Sequence, residues 1–195
     1  STAILHYEDG ERVIQVGDVV LCDMGCSFQG YCSDVTRTWF VGPPASPHPW
    51  RDIHTQVHRV FAKMVAQLMP GKTWDELTTF VHDEFLLVLQ NAGLVREDAG
   101  VSDPRQDDVV SIFFPHSIGH HLGIETHDRC DTTQREFASG MVVALEIGLY
   151  VGDVAMEKSQ SHPRLNAEKL ETLGQGGVRV EDNFLVTETS NECLT

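Results

Sequence analysis

No stretch of this sequence is long and apolar enough to predict a membrane span. A transmembrane helix needs about 18 to 20 consecutive apolar residues, and no run in the 195 residues approaches that length. A charged segment followed by an apolar run, as in a secretion signal, is also missing. A membrane is therefore not an expected partner. Because the chain opens on Ser1 and STAILHYEDG resembles the middle of a domain, we expect further sequence upstream.

Basic residues are scarce. Lysine and arginine number 14, against 29 aspartates and glutamates, which gives a formal net charge of −15. No basic stripe interrupts this acidic excess. Nucleic acids and anionic membranes attract proteins through clustered positive charge, so the composition excludes nucleic acid as an expected partner.

Cysteine pairs with the spacing of a metal or redox motif are lacking. The five cysteines form an odd set without a CxxC pair: Cys22, Cys26, Cys32, Cys130 and Cys193. Free thiols of this kind are typical of a reducing compartment. The pattern favours a cytoplasmic location and argues against a zinc cluster built from cysteines.

The first half of the chain predicts a hairpin followed by two helices. The β-rich segments GDVVLCDMG and YCSDVTRTWFV flank the short CSFQG, which is typical of an antiparallel hairpin. Apolar residues recur at intervals of three and four over residues 50–68, which indicates an amphipathic helix. Thr73 followed by Glu76 is a capping-box signature for a second helix, which Asn91 and Gly93 end.

The second half predicts two long strands. MVVALEIGLYV is a near-continuous apolar run typical of a buried strand, and GGVRVEDNFLVTET alternates as a strand does. The polar residues 153–174 between them predict an exposed, mobile loop. With 41% hydrophobic residues, the chain can bury one core and fits one domain over residues 1–195, or the larger part of one.

The segment FFPHSIGHHLGIETHD contains four of the ten histidines. Taken singly, each is more typical of a packing residue or a solvated loop than of a ligand. Gly119 and Gly123 change this interpretation, because glycine within a strand-like run indicates close backbone approach. The segment is a candidate site only if other polar groups converge on it.

Carboxylates within strands supply the second observation. Asp23 and Asp34 lie on the two arms of the predicted hairpin, where they can meet as a cross-strand pair that requires a cation between them. Glu146 interrupts an apolar run, where an unpaired charge is costly. Glu181 shares a strand face with Arg179 and Asn183. Each acid alone is compatible with a salt bridge or a solvent-facing position.

Together, four carboxylates and one imidazole suit two divalent cations. They are hard oxygen ligands with a single nitrogen, and four negative charges balance two dications. Such a centre lowers the pKa of a water molecule, which predicts metal-assisted hydrolysis.

The ordered motifs DMGCSFQGYCSDVTRTW, PHSIGHHLGIETHD, GMVVALEIGLY and GVRVEDNFLVTETSNECLT resemble those of the pita-bread metallopeptidases, the group of methionine aminopeptidase, prolidase and aminopeptidase P. The chain is most similar to aminopeptidase P, the Xaa-Pro aminopeptidase. The resemblance covers nearly the whole chain. It implies an α+β pita-bread fold, with a curved antiparallel sheet, helices on its outer face, and truncation at the N-terminus.

The resemblance also implies roles for individual residues. It implies the metal ligands Asp23, Asp34, His120, Glu146 and Glu181. It implies that His116 and His127 line the substrate pocket and act on the scissile carbonyl, with Glu146 shuttling the proton. His6 and the rim residue Tyr150 complete the substrate pocket, and Arg179 orients a ligand carboxylate. His121 has no counterpart and is expected to be a packing residue.

Two departures from the family pattern bear on these roles. Where the family has Thr-x-Glu-Pro-Gly around the fourth ligand, this chain has Ala144 and Ile147, so we expect a relaxed turn after Glu146. In prolidases an arginine in the loop before this ligand binds the dipeptide carboxylate, and Arg135 is not an obvious match. This difference favours longer peptides.

The sequence therefore predicts an enzyme, an Xaa-Pro aminopeptidase with two divalent ions, with manganese favoured and zinc or cobalt able to substitute. Its expected partner is a peptide with proline at position two. A prolidase and a non-catalytic pita-bread binding protein remain alternatives. The segments that precede AILHY in the family are absent, so we also expect a homo-oligomer or a companion polypeptide that supplies them.

Overall fold

Eight strands and four α-helices make up the part of the chain that the computed structural model describes, residues 2–5, 12–44, 46–97, 109–129 and 136–195. In chain order the elements are β1 (Val19–Met24), β2 (Ser27–Phe28), β3 (Tyr31–Cys32), β4 (Val35–Phe40), α1 (Arg51–Val65), α2 (Trp74–Asn91), a 3-10 turn (Val110–Ile112), β5 (Gly119–His121), β6 (Val142–Val151), α3 (Asp153–Ser159), α4 (Ala167–Leu173), β7 (Gly176–Val186) and β8 (Asn191–Cys193).

The predicted hairpin is confirmed. β1 and β4 pair antiparallel, and this pair is called the ribbon from here on. The short strands β2 and β3 continue it to a two-residue turn. Gln29 and Gly30 form that turn with positive φ angles of 52° and 88°, the conformation that matches the twist of a hairpin.

The two predicted long strands are also confirmed. β6 and β7 pair antiparallel over ten residues at the centre of a four-stranded sheet of order β5-β6-β7-β8. The relaxed turn expected after Glu146 is wrong, because β6 continues through Ile147, which pairs with Val180. Ile147 is fully buried, and a β-branched residue fits a buried strand well.

The amphipathic helix α1 packs on one face of this sheet, and the amphipathic helix α2 packs against α1. α1 buries Ile53, Val57 and Val60 and contacts both β6 and β7. α2 begins with the predicted capping box, in which the Thr73 side chain accepts from the backbone N–H of Glu76. The helices and the apolar face of the sheet together form the hydrophobic core.

The mobile loop predicted over residues 153–174 is wrong. This segment contains α3 and α4, and it packs through Ala155 and Leu170, which are 1% and 0% exposed. The Asn166 side chain caps α4 by accepting from the backbone N–H of Lys169. Each helix has only seven residues. The apolar face of each therefore consists of a few residues that are separated in sequence by polar ones.

The strands of the sheet separate apolar and polar side chains. On β6, Leu145, Ile147 and Leu149 belong to the core, and the alternation of side chains puts Glu146 on the opposite face. The ribbon lies against this second face. Thr38 Oγ1 donates to the carbonyl oxygen of Arg179 at 2.9 Å. Side-chain hydrogen bonds of this kind join ribbon and sheet, whose strands belong to separate ladders.

Among the described residues, no helix has both the length and the apolar character that crossing a membrane requires.

Because residues 153–174 are packed against the rest of the chain, we expect truncation of the buried Leu170 side chain to destabilise the folded state strongly. We expect Leu170→Ala to lower the free energy of unfolding by about 2 to 5 kcal/mol, because it leaves a cavity in a closed site. Chemical denaturation measures this change. Glu171→Ala, at an exposed neighbouring position, is the matched control, with an expected change within about 0.5 kcal/mol. Equal, small effects of both substitutions would contradict the packed arrangement.

Candidate metal centre

Two glutamates face each other across the central strands. Glu146 on β6 pairs directly with Glu181 on β7, and Glu181 is only 1% exposed. Its Oε1 atom is buried and has no hydrogen-bond partner among the described residues. Like charges directly opposite one another destabilise a sheet, so this pair requires a positive charge nearby.

The ribbon adds two aspartates to the same site. Asp23 lies opposite Thr36, so Asp34 is its diagonal neighbour and not the direct partner that the sequence suggested. The same register places Asp34 opposite Gly25. A Cβ atom at Gly25 would lie 2.0 Å from the carbonyl oxygen of Ser33, so only glycine fits there. Carboxylate oxygens of Asp23, Asp34 and Glu181 all lie within 4.8 Å of one another.

His120 on β5 points its second nitrogen into this cluster. Its Nδ1 lies 3.0 Å from the carbonyl oxygen of His121. A proton donated there leaves the lone pair on Nε2, the usual arrangement of a ligating histidine. Nε2 lies 3.5 Å from Asp34 Oδ2, 3.8 Å from Glu181 Oε1 and 3.9 Å from Glu146 Oε1.

These spacings fit a bound cation. Ligand atoms with bonds of about 2.1 Å to one ion lie about 3 to 4 Å from each other. Among the described residues, three overlapping groups have potential ligand atoms within 4.8 Å of one another: Asp34, His120 and His127; His120, Glu146 and Glu181; and Asp23, Asp34 and Glu181. The unpartnered Oε1 of Glu181 belongs to this set. The residues therefore fit divalent metal ions with mainly oxygen ligands.

Concentrated negative charge shifts the pKa values within the cluster. Burial, assisted by the charge of Glu181, raises the pKa of Glu146 to about 7. Burial acts to lower the pKa of His120, but the nearby carboxylates of Asp34 and Glu181 outweigh it and raise the pKa to about 10. Without a bound ion, His120 is therefore protonated near neutral pH and Glu146 is partly protonated, and a cation that binds here displaces these protons.

Two glycines of the histidine-rich segment allow its backbone to approach the site closely, as the sequence indicated. A Cβ atom at Gly119 would lie 2.1 Å from the carbonyl oxygen of Ala144. A Cβ atom at Gly123 would lie 2.0 Å from Oδ2 of Asp128. A side chain at Gly119 would push β5, and with it His120, away from β6, whereas one at Gly123 would displace the Asp128 side chain.

A chain of hydrogen bonds with two buried members, Arg179 and Tyr150, supports the site from one side. Arg179 is 3% exposed. Its Nη2 donates to Asp23 Oδ2 at 2.9 Å, and its Nη1 donates to the Tyr150 hydroxyl at 3.1 Å. That hydroxyl lies 2.8 Å from Nε2 of His116, whose Nδ1 is 3.9 Å from Glu146 Oε2. Tyr150, also 3% exposed, thus lies deeper than the rim position predicted for it.

The other two histidines of the histidine-rich segment, His121 and His127, have different environments. His127 is exposed, and its ring centroid lies 4.5 Å from that of His120. His121 contacts Trp74 with its ring, at 5.7 Å between centroids, and is in none of the three candidate ligand groups. The predicted pocket residue His6 lies outside the described residues, as does Arg135.

Two polar residues that the sequence gave no reason to select hold the carboxylates in place. Thr36 is fully buried. Its hydroxyl donates to Glu181 Oε2 at 2.8 Å and accepts from Arg179 Nε at 3.3 Å. The Asn183 amide bonds the backbone of Asp34 on both sides, accepting from its N–H at 3.0 Å and donating to its carbonyl oxygen. The alternation along β7 identified the face of Asn183 but not this contact.

Comparison with known proteins gives a consistent result. The profile of metallopeptidase family M24 matches residues 1–188. A probable Xaa-Pro aminopeptidase of Emericella nidulans is 32% identical over 215 residues, which include 100% of this chain and 46% of that protein. The Xaa-Pro aminopeptidase of Haemophilus influenzae is 32% identical over 203 residues, with 100% of this chain and 43% of that protein covered.

Solved structures show the same likeness. An alanine variant of Escherichia coli aminopeptidase P matches with a TM-score of 0.84 and 29% identity, covering 100% of this chain and 41% of that one. The zinc-substituted Escherichia coli enzyme in complex with product matches with a TM-score of 0.83 and 30% identity, with the same coverage. The pita-bread fold predicted from the sequence is confirmed. The chain spans less than half the length of these curated relatives and solved chains.

The position of Thr36 predicts a role in metal affinity. We expect Thr36→Val to weaken the binding of Mn²⁺ by about 10- to 100-fold, the usual effect of removing a group that orients a ligand. Isothermal titration calorimetry measures this affinity. Thr38→Val is the matched control, because the Thr38 hydroxyl bonds only the backbone of Arg179 among the contacts described. An unchanged affinity in Thr36→Val, with the fold intact, would show that Glu181 needs no such orientation.

Proposed function

Since this chain belongs to metallopeptidase family M24, we propose that it hydrolyses the peptide bond between an N-terminal residue and a penultimate proline, as a dinuclear metal-dependent exopeptidase. The observation that carries this proposal is the convergence of three carboxylates, Asp34, Glu146 and Glu181, on Nε2 of His120, with Asp23 joining Asp34 and Glu181 in a neighbouring group. The names of the relatives, Xaa-Pro aminopeptidases, support the choice of substrate. Residues 1–195 form, in this proposal, a single catalytic domain.

The proposed cofactor is a pair of divalent ions. Their ligands are the five residues that the sequence predicted, Asp23, Asp34, His120, Glu146 and Glu181. Asp34, His120 and Glu181 each belong to two of the three candidate ligand groups, which supports two neighbouring ions with shared ligands. Manganese is favoured because oxygen ligands dominate and no thiolate belongs to these groups, and zinc or cobalt can substitute. Such ions polarise a carbonyl group and activate water when bound.

The surrounding side chains have proposed roles of their own. His116 and His127 bind the scissile carbonyl and stabilise the charge that develops on its oxygen. The Tyr150 hydroxyl orients the His116 ring. Glu146 takes a proton from the attacking water and passes it to the leaving nitrogen through its carboxylate oxygens. Arg179 holds Asp23 in position.

His6 is proposed to shape the subsite for the proline ring.

Two alternative functions can be distinguished from the proposed one by features of the chain. A non-catalytic pita-bread binding protein does not need a complete ligand set, whereas all five predicted ligands are present and converge. A prolidase needs a cation for the free carboxylate of a dipeptide, and the loop that contains Arg135 lies outside the described residues. The homo-oligomer or companion polypeptide and the cytoplasmic location remain predictions from the sequence.

Adjacent histidines provide a direct test of the ligand assignment. We expect His120→Ala to abolish metal-dependent release of the N-terminal residue and to reduce bound metal, because it removes the nitrogen ligand. His121→Ala is the matched control, with activity retained and only some packing stability lost. Elemental analysis and a peptide-cleavage assay, on the natural polypeptide that carries these residues, measure both effects. If the two variants behaved alike, the alignment within SIGHHLG would be wrong.

Peptide length tests the proposed class of exopeptidase. We expect an Xaa-Pro-Xaa tripeptide to be cleaved at least as efficiently as the corresponding Xaa-Pro dipeptide, because no arginine is obviously suited to the dipeptide carboxylate. The ratio of kcat/KM values reports differential transition-state binding. A dipeptide preference of more than about tenfold, about 1.4 kcal/mol, would favour prolidase.

A further inference from the structure

A second group of metal-ligating side chains lies on α1, apart from the candidate metal centre. His54 and His58 are four residues apart, which places them one above the other on the same face of a helix. Their Nε2 atoms point toward each other at a distance of 3.1 Å. The ring centroids are 4.5 Å apart.

The surroundings hold His54 in this orientation and leave the pair open to solvent. The His54 ring meets the Phe40 ring edge-on, with 5.3 Å between centroids, so its rotamer is restricted by packing. His58 is exposed and His54 is half-buried. An ion can therefore reach the pair from solvent without a change in the backbone.

The distance between the two nitrogens suits bidentate ligation. Two imidazole nitrogens bonded to one ion at about 2.1 Å and 3.1 Å apart subtend an angle of about 95°. This angle lies between the angle of about 90° in octahedral and square-planar complexes and the angle of about 109° in tetrahedral complexes. Proton competition at the pair is weak, because burial, His58 and Arg51 lower the pKa of His54 to about 4.

We propose that His54 and His58 form a second metal site, which chelates one divalent ion of the class that prefers imidazole: Zn²⁺, Ni²⁺ or Cu²⁺. Solvent water completes the coordination shell on the exposed side. The ring that donates in the Nε2–Nε2 hydrogen bond shifts its proton to Nδ1, so both imidazoles stay neutral and each offers an Nε2 lone pair to the ion. The ion also fixes one turn of α1, on the helix that covers β6 and β7.

Metal preference distinguishes this site from the first. The candidate metal centre offers mainly carboxylate oxygens, which suit Mn²⁺, whereas the pair on α1 offers nitrogen alone. Nearby charges are mixed: Arg37 and Asp182 act on the pKa of His58 in opposite directions, after the dominant effect of burial. Asp182 accepts hydrogen bonds from Arg37 and Thr195, so we do not include it as a third ligand of this site.

Isothermal titration calorimetry of the 195-residue chain with Ni²⁺ and, separately, with Mn²⁺ tests this proposal. We expect the wild-type chain to bind one more equivalent of Ni²⁺ than His54→Ala, or to bind that equivalent at least tenfold more tightly, because loss of the second ligand removes the chelate effect. The stoichiometry for Mn²⁺ is expected to be the same in both proteins.

A matched control keeps the number of histidines and changes only their spacing. In the double substitution His58→Ala and Arg59→His, the histidines are five residues apart, about 140° around the helix, and cannot bind one ion together. We expect it to behave as His54→Ala does. Circular dichroism checks that each variant retains its helices. Equal Ni²⁺ binding by all three folded proteins would overturn the proposal and leave a hydrogen-bonded histidine pair only.

Discussion

Negative charge gathered around one imidazole nitrogen is the constraint on which the site and its surroundings depend. Glu146 and Glu181 are directly opposite in the sheet, and Asp23 and Asp34 approach them from the ribbon. In a partly buried place such charges repel strongly, because water screens them poorly. The guanidinium of Arg179 reaches Asp23, but it carries a single positive charge against four carboxylates. Protons or divalent ions must supply the remainder.

Strand alternation lets β6 and β7 serve this charged site and the hydrophobic core at once. One face of each strand packs against α1, while the other presents glutamates toward the ribbon. Residues without large side chains make room on the charged face: Gly148 lies opposite Arg179, and Ala144 lies opposite His120. The core side is closely packed, and close packing leaves strands little freedom to move. The spacing of the carboxylates is therefore set by the apolar face behind them.

The sequence predicted most of this arrangement, and its failures have physical reasons. Turn chemistry and alternation identified the hairpin and both long strands, and the capping box at Thr73 identified the start of α2. The diagonal contact of Asp23 and Asp34 depends on the register of the ribbon, which a composition pattern does not fix. Helices α3 and α4 are too short for a clear period, and most of their stability comes from tertiary packing.

The supporting residues were harder to predict than the acids that they hold. A threonine in a strand has no chemical signature, so Thr36 became visible only through its contact with Glu181. Ile147 was wrongly expected to relax the chain, since the family pattern describes a proline and says nothing of how isoleucine packs. The side chains of the five predicted ligands lie close together, and their role as ligands stays a prediction; the sequence selected Glu146 because it interrupts an apolar run with a charge. Such an interruption is costly in a strand and therefore conspicuous in sequence.

The ribbon and the four-stranded sheet share no backbone ladder, and this has a consequence for how the molecule opens. Within each sheet, cooperative hydrogen bonding resists local unfolding, whereas a seam joined by side chains is a natural boundary between units that unfold separately. The predicted ligands are divided across this seam: Asp23 lies on the ribbon and Asp34 directly before its second strand, and the other three lie on the sheet. Ions bound between these ligands would hold the ribbon and the sheet together. Loss of metal would therefore loosen the ribbon, while the sheet and the helices stayed folded. Chelation would then act as a selective local denaturant.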